Sequence, residues 1–184
     1  MVIWKSILVL ANSVKKAPGR CVAGREVVRN GDRYVPGPWI RPVSPDGEGA
    51  EGELLPVRHC QLSDGGMPAV LDIVEVPLQR QRTDPGQPEN WEVVPNTPWR
   101  LVESISPQRI ERIVEQPRDL WLDPGGKRDR IAVRVHGARP TSPSLTLIRP
   151  SRLTVCRESP TRATGCFQYA GLLYTLRITD DAFN

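Results

Sequence analysis

The chain has no long apolar run, only two histidines, few lysines and no closely spaced cysteine pair. Each shortage removes a class of protein. The first apolar stretch, Ile7-Leu8-Val9-Leu10-Ala11, is far shorter than the roughly 20 residues that a membrane-spanning helix needs. It follows Met1-Val2-Ile3-Trp4-Lys5 directly, with no leader pattern, so a cytoplasmic protein with reduced thiols is expected. The cysteines stand at positions 21, 60, 156 and 166, and none has the C-x-x-C spacing of a zinc knuckle or dithiol redox site. Cys156 and Cys166 are placed on adjacent strands. The motifs HExxH, GxSxG, GxGxxG and the Walker loop are all absent, so no enzyme class is legible from spacing.

Proline and glycine are abundant instead, at 19 and 15 of 184 residues. Proline lacks an amide hydrogen and clashes with the preceding helical turn, so this density excludes a helical bundle. Hydrophobic residues at 39% and charged residues at 25% fit a soluble globular chain and exclude collagen, coiled coil and acidic disorder. The remaining expectation is a mostly β, loop-rich protein with one modest core or two small barrels.

The net charge is +4, and arginine supplies 21 of the 25 basic residues. Arginine's flat fork of donors suits phosphates and stacks on bases, although a GC-rich genome also favours arginine, proline and glycine. The distribution says more. Residues 1–45 carry +6, residues 46–126 carry −8, residues 127–162 carry +7 and the rest −1. Two basic blocks flank an acidic one, and basic patches attract polyanions.

Strands are expected at Lys5–Asn12, Trp39–Val43, Ala69–Leu78, Glu89–Val94, Arg130–His136, Ser144–Ile148, Arg152–Arg157, Ala163–Tyr169 and Leu172–Thr179. Trp99–Val102 reads as a short strand or a helical turn. Asn30-Gly31 and Ala170-Gly171 are turn dipeptides. The segment from Val14 to Arg20 reads as a basic loop. One helix is expected over Ser106–Glu115, with Ser106 as N-cap, Pro107 at the first helical position and Pro117 as its stop.

Candidate chemistry is sparse. His59-Cys60 is either a ligand or nucleophile pair, or structural residues near the end of a loop. Asp72 stands inside an apolar run. It either joins Glu75, Glu89 and Lys15 or Lys16 in a metal-dependent nuclease, or accepts hydrogen bonds from loop amides. Trp39 beside Arg41, Trp99 beside Arg100, and Tyr169 and Tyr174 with Arg177 are aromatic–arginine combinations of the kind that stack bases and bind phosphates. The rival reading places these aromatics in the core.

Several segments resemble the bacterial dual OB domain-containing family. They are Lys5–Ser13, Gly19–Gly24, Leu71–Leu78, Glu89–Trp91, Ser144–Pro150, Phe167–Asp180 and, most specifically, Trp39-Ile40-Arg41-Pro42-Val43-Ser44. The resemblance covers nearly the whole chain. It implies a mostly β fold of two small OB-like barrels in tandem, residues 1–105 and 106–184, with one short connecting helix. It brings no catalytic residue, metal or cofactor, and it implies a bacterial conflict or phage-defence setting. The family pattern continues past the Thr179-Asp180 equivalent, so the second barrel is expected to close differently, to be shortened, or to be completed by a protein partner.

The expectation is therefore a non-catalytic protein that binds single-stranded DNA or RNA and no membrane. Lys15, Lys16, Arg20, Arg25, Trp39 and Arg41 would serve the first barrel, and Arg149, Arg152, Tyr169 and Arg177 the second. The alternatives are an adaptor docking through its acidic middle and the Asp72 nuclease.

Overall fold

Strand periodicity explains the architecture of the computed structural model, which describes residues 1–16, 19–31, 33–45, 54–82, 87–118, 120, 144–159 and 162–180. Successive side chains of a strand point to opposite faces. Strand β1 (Ile3–Lys16) sends Ile7 and Val9 inward and Leu8 outward. Strands β2 (Gly19–Asn30) and β3 (Arg33–Val43) form a hairpin turned at Asn30-Gly31, where Gly31 has φ +60°. Strand β4 (Asp72–Gln81) points Val74, Val76 and Leu78 inward, and β5 (Asn90–Val93) adds Val93.

These strands close on themselves in the order β1-β2-β3-β5-β4, with β4 returning to pair with β1. The β3–β5 pairing is parallel and the others antiparallel. Ile7, Ile40, Leu55, Val76 and Trp99 fill the interior. A loop segment seals one side: Leu55 exchanges backbone hydrogen bonds with Arg20 at 2.8 Å each, and Trp99 lies wholly buried. Strand β6 (Arg100–Ser104) adds outside the closed set, along β4.

The closure requires Gly24. A Cβ there would stand 2.0 Å from the Leu8 carbonyl oxygen, beside the register shift between Val9 and Ala11.

A second sheet follows, an antiparallel meander of β7 (Ser151–Ser159), β8 (Arg162–Tyr169) and β9 (Leu172–Ile178). Phe167 stacks on Tyr174 with centroids 5.6 Å apart, packed with Leu120, Ile148 and Leu176. Cys156 and Cys166 do lie on neighbouring strands, but each faces a threonine across the pair, and all four cysteines are free. The two sheets touch where the Val14 amide donates to the Thr179 carbonyl at 3.3 Å.

Several expectations change. The helix of Ser106–Glu115 is a 3₁₀ helix over Pro107–Ile113, and Ser106 makes no side-chain cap bond. Its residues are mostly exposed, so little packing favours an α-helical turn. Ser144–Ile148 is not a strand: its polar groups are taken by acidic side chains rather than a ladder. Strand β1 runs through Lys16 instead of yielding to a loop at Val14. The strand expected at Arg130–His136, and His136 itself, lie outside the described residues. No helix among the described residues is long and apolar enough to cross a membrane.

Gly24→Ala should lower the melting temperature by at least about 5 °C, because the backbone it meets cannot yield as a flexible side chain can. Thermal denaturation followed by circular dichroism checks this.

Candidate functional site

Register decides which side chains meet on the outer face of β2 and β3. Gly24 lies opposite Ile40, which points into the core, so the next pair, Arg25 opposite Trp39, points out. The Arg25 guanidinium lies 5.8 Å from the Trp39 ring centroid, and its Nε donates to the Gly37 carbonyl at 2.6 Å. Beside this pair opens a cleft of ≈ 410 Å³, lined by Arg25, Pro38, Trp39, Gln81, Pro88, Glu89, Trp91 and Glu115. Gln81 and Pro88 come from the two sides of the β4–β5 connection, and Trp91 from β5.

Glu115 stands at the centre. Its carboxylate accepts from Arg25 Nη1 at 2.9 Å, from Trp39 Nε1 at 3.2 Å, from the Leu147 amide at 2.8 Å and from the Thr146 hydroxyl at 3.1 Å. One charged and three neutral donors thus converge on a single anion, whose side chain is about one-third exposed, 32%. Nearby, Glu89 accepts from the Ser144 amide and hydroxyl and faces Arg41.

Arg41 is nine-tenths buried. Its Nε donates to Asn90 Oδ1 at 2.7 Å, and Nη2 lies 3.7 Å from Glu89 Oε1, an ion pair without a hydrogen bond. Its charge therefore balances a buried carboxylate and does not face the groove. Trp39, though on the outer face of the sheet, is buried, 8% exposed. Arg20 sits in β2 near the barrel seam. Lys15 and Lys16 end β1, and their side chains lie outside the described residues.

In the second unit the candidates separate. Tyr169 shares a face with Phe167, and its hydroxyl donates to the Pro117 carbonyl at 2.6 Å. Burial, and then neighbouring Tyr174, raise its pKa. Arg177 pairs with Thr164 across β8, on the opposite face. Arg149 binds Glu111 at 2.5 Å, and Arg152 is exposed at a residue of φ 53°. Trp99 and Tyr174 are core residues, and Arg100 lies over Trp4 at 4.3 Å rather than serving Trp99.

Asp72 is fully engaged, accepting from the Ala69 amide at 2.8 Å and the Ser104 hydroxyl at 2.6 Å. Glu75 turns to Arg100, so the carboxylates of the nuclease reading do not converge on one another. Among the described residues no three His, Cys, Asp or Glu side chains gather to hold a metal. His59 is buried in a 3₁₀ turn and Cys60 follows it, wholly buried, with burial pushing its thiol up to about 12.

Sequence reasoning missed Glu115, Glu89 and Trp91 as members of one site. Glu115 stood at the end of an expected helix, where nothing marked it as crossing to Arg25.

A family model described as the dual OB-containing domain matches residues 5–184. Neither the curated proteins nor the solved structures hold a significant match.

Two outcomes follow from this geometry. Arg41→Ala should cost about 3 kcal/mol in denaturant unfolding, because it strands Glu89 as an unpaired buried charge. A thiol reagent at pH 8 should modify exposed Cys156 quickly and leave Cys60 unmodified in the folded protein. With its pKa raised, Cys60 holds only about one part in ten thousand as the reactive thiolate at that pH, and its share grows only as pH approaches the raised value. Mass spectrometry of the labelled peptides reads the difference.

Proposed function

The chain belongs to the dual OB-containing domain family, and we propose that it acts as a non-catalytic, cytoplasmic protein that binds single-stranded DNA or RNA. OB barrels generally take oligonucleotides on the face of strands 2 and 3, between the loops that join strands 1–2 and 4–5. The observation that carries the reading is the Arg25–Trp39 pair on that face of this barrel, beside a cleft that Trp91 also lines. A guanidinium fork suits a phosphodiester, and a tryptophan surface suits an unstacked base. Lys15 and Lys16, the last two residues of β1, are offered as further phosphate contacts on the strength of the basic charge in residues 1–45 alone.

The family resemblance supplies the proposed setting, a bacterial defence or regulatory system. In the second unit, Arg152 and Arg177, with Arg149 in its exposed pair with Glu111, are offered to a continuing strand; Tyr169, held by Pro117, supports the sheet instead.

Fluorescence anisotropy with a labelled single-stranded oligonucleotide tests the reading. Binding should appear at about 50 mM salt and weaken steeply by about 200 mM, as phosphate contacts require. Arg25→Ala should weaken binding by about fivefold or more. A protein that binds no oligonucleotide at about 50 mM salt, with Glu115 intact or substituted, overturns it.

A further inference from the structure

We infer that the segment leaving the first barrel holds that barrel's ligand face closed, with the Glu115 carboxylate standing where a ligand phosphate would go. The inference rests on the proposed nucleic-acid reading and adds a control device to it.

The path of the chain supplies the first argument. After β6, Ile105 and Ile113 pack on the outer face of the barrel against Leu8, Val27 and Ile73. This apolar contact anchors the segment and delivers the next residues onto the β2–β3 face. Glu115 then lands between Arg25 and Trp39, the two side chains that the face presents.

The second argument is chemical. A guanidinium, an indole N–H, a hydroxyl and a backbone amide converge on this one carboxylate. Two of these donors, the Arg25 guanidinium and the Trp39 indole N–H, belong to the barrel face and suit the oxygens of a phosphodiester, while the Thr146 hydroxyl and Leu147 amide belong to the strap that Glu115 holds. A carboxylate and a phosphodiester each carry one negative charge, so exchange at Arg25 leaves the local charge balance unchanged.

The third argument is reversibility. Arg25 and Glu115 keep 16% and 32% of their side-chain surface exposed, so the ion pair is partly screened by water and is not locked in a dry core. Residues 144–147 close over the same place. Leu147 exchanges two contacts with Glu115, one through its amide to the carboxylate and one accepting the Glu115 amide at 2.7 Å. Ser144 holds Glu89 at the other edge of the cleft. A ligand phosphate that displaces Glu115 thereby also frees the start of the second unit, which couples occupancy of the barrel to the strap above it.

The test is a double-mutant cycle in the full chain, read by oligonucleotide anisotropy at fixed salt. Glu115→Gln keeps the side-chain shape and removes the charge. It should bind about five- to tenfold more tightly than the wild type, within the usual span of coupling between sites. The gain should vanish in Arg25→Ala/Glu115→Gln. Wild-type binding with no gain in Glu115→Gln, or a gain that persists without Arg25, overturns the inference alone. Absence of binding in both wild type and Glu115→Gln overturns the nucleic-acid reading and the inference with it. Hydrogen exchange of the wild-type Leu147 amide gives a readout free of any variant. Saturating oligonucleotide should speed its exchange, and unchanged or slower exchange overturns the inference.

Discussion

Strand β1 has two partners, and the rest of the first barrel depends on that. Its first half, Ile3 to Leu8, pairs with β4, and Ile7 onward pairs with β2. A strand that serves two neighbours in this way turns a sheet into a closed barrel, with Ile7 and Leu8 paired on both sides. Where the partners overlap, the Leu8 carbonyl lies against the β2 backbone at Gly24, beside the register shift between Val9 and Ala11. Glycine at that position is a condition of closure.

Closure then fixes the outer face of β2 and β3. Because side chains alternate, a register that turns Ile40 inward must turn Trp39 and Arg25 outward. The hydrophobic demand of the interior therefore sets which polar groups meet outside. On that outer face Trp39 is nonetheless buried, and the Arg25 side chain keeps 16% of its surface exposed. Arg41 shows the opposite outcome. Its charge is drawn inside by Glu89 and Asn90, and a residue that reads as a groove contact becomes a support for the β3–β5 junction.

Two acidic side chains tie the second half of the chain to the first. Glu115 and Glu89 between them accept hydrogen bonds from Ser144, Thr146 and Leu147. The excess acid in residues 46–126 is thus partly spent inside the molecule, as counter-charge to arginines and as acceptors for a strap without strand partners of its own. The chain's arginines differ in the same way: Arg25 and Arg41 hold carboxylates while largely buried, Arg80 and Arg149 hold them at the surface, and Arg152 and Arg177 are exposed.

The sequence by itself determined the class of fold and most of the strands. Proline and glycine density rules out a helical bundle regardless of context. The short β-rich apolar run through Ile73, Val74, Val76 and Leu78 marks a strand buried along most of its length. Turn dipeptides such as Asn30-Gly31 require backbone angles that few residues adopt. These signals are local, so they survive without knowledge of the neighbours. The likeness in Trp39–Ser44 carried the dual OB assignment for the same reason, as a short contiguous segment. What only the tertiary structure decided was which charges meet. Arg25 and Glu115 lie 90 positions apart, and Glu89 and Ser144 lie 55 apart. Any of many acids can satisfy an arginine, and no periodicity selects among them. Barrel closure and the path of the segment across the outer face make that selection, because they set which side chains come within hydrogen-bond reach.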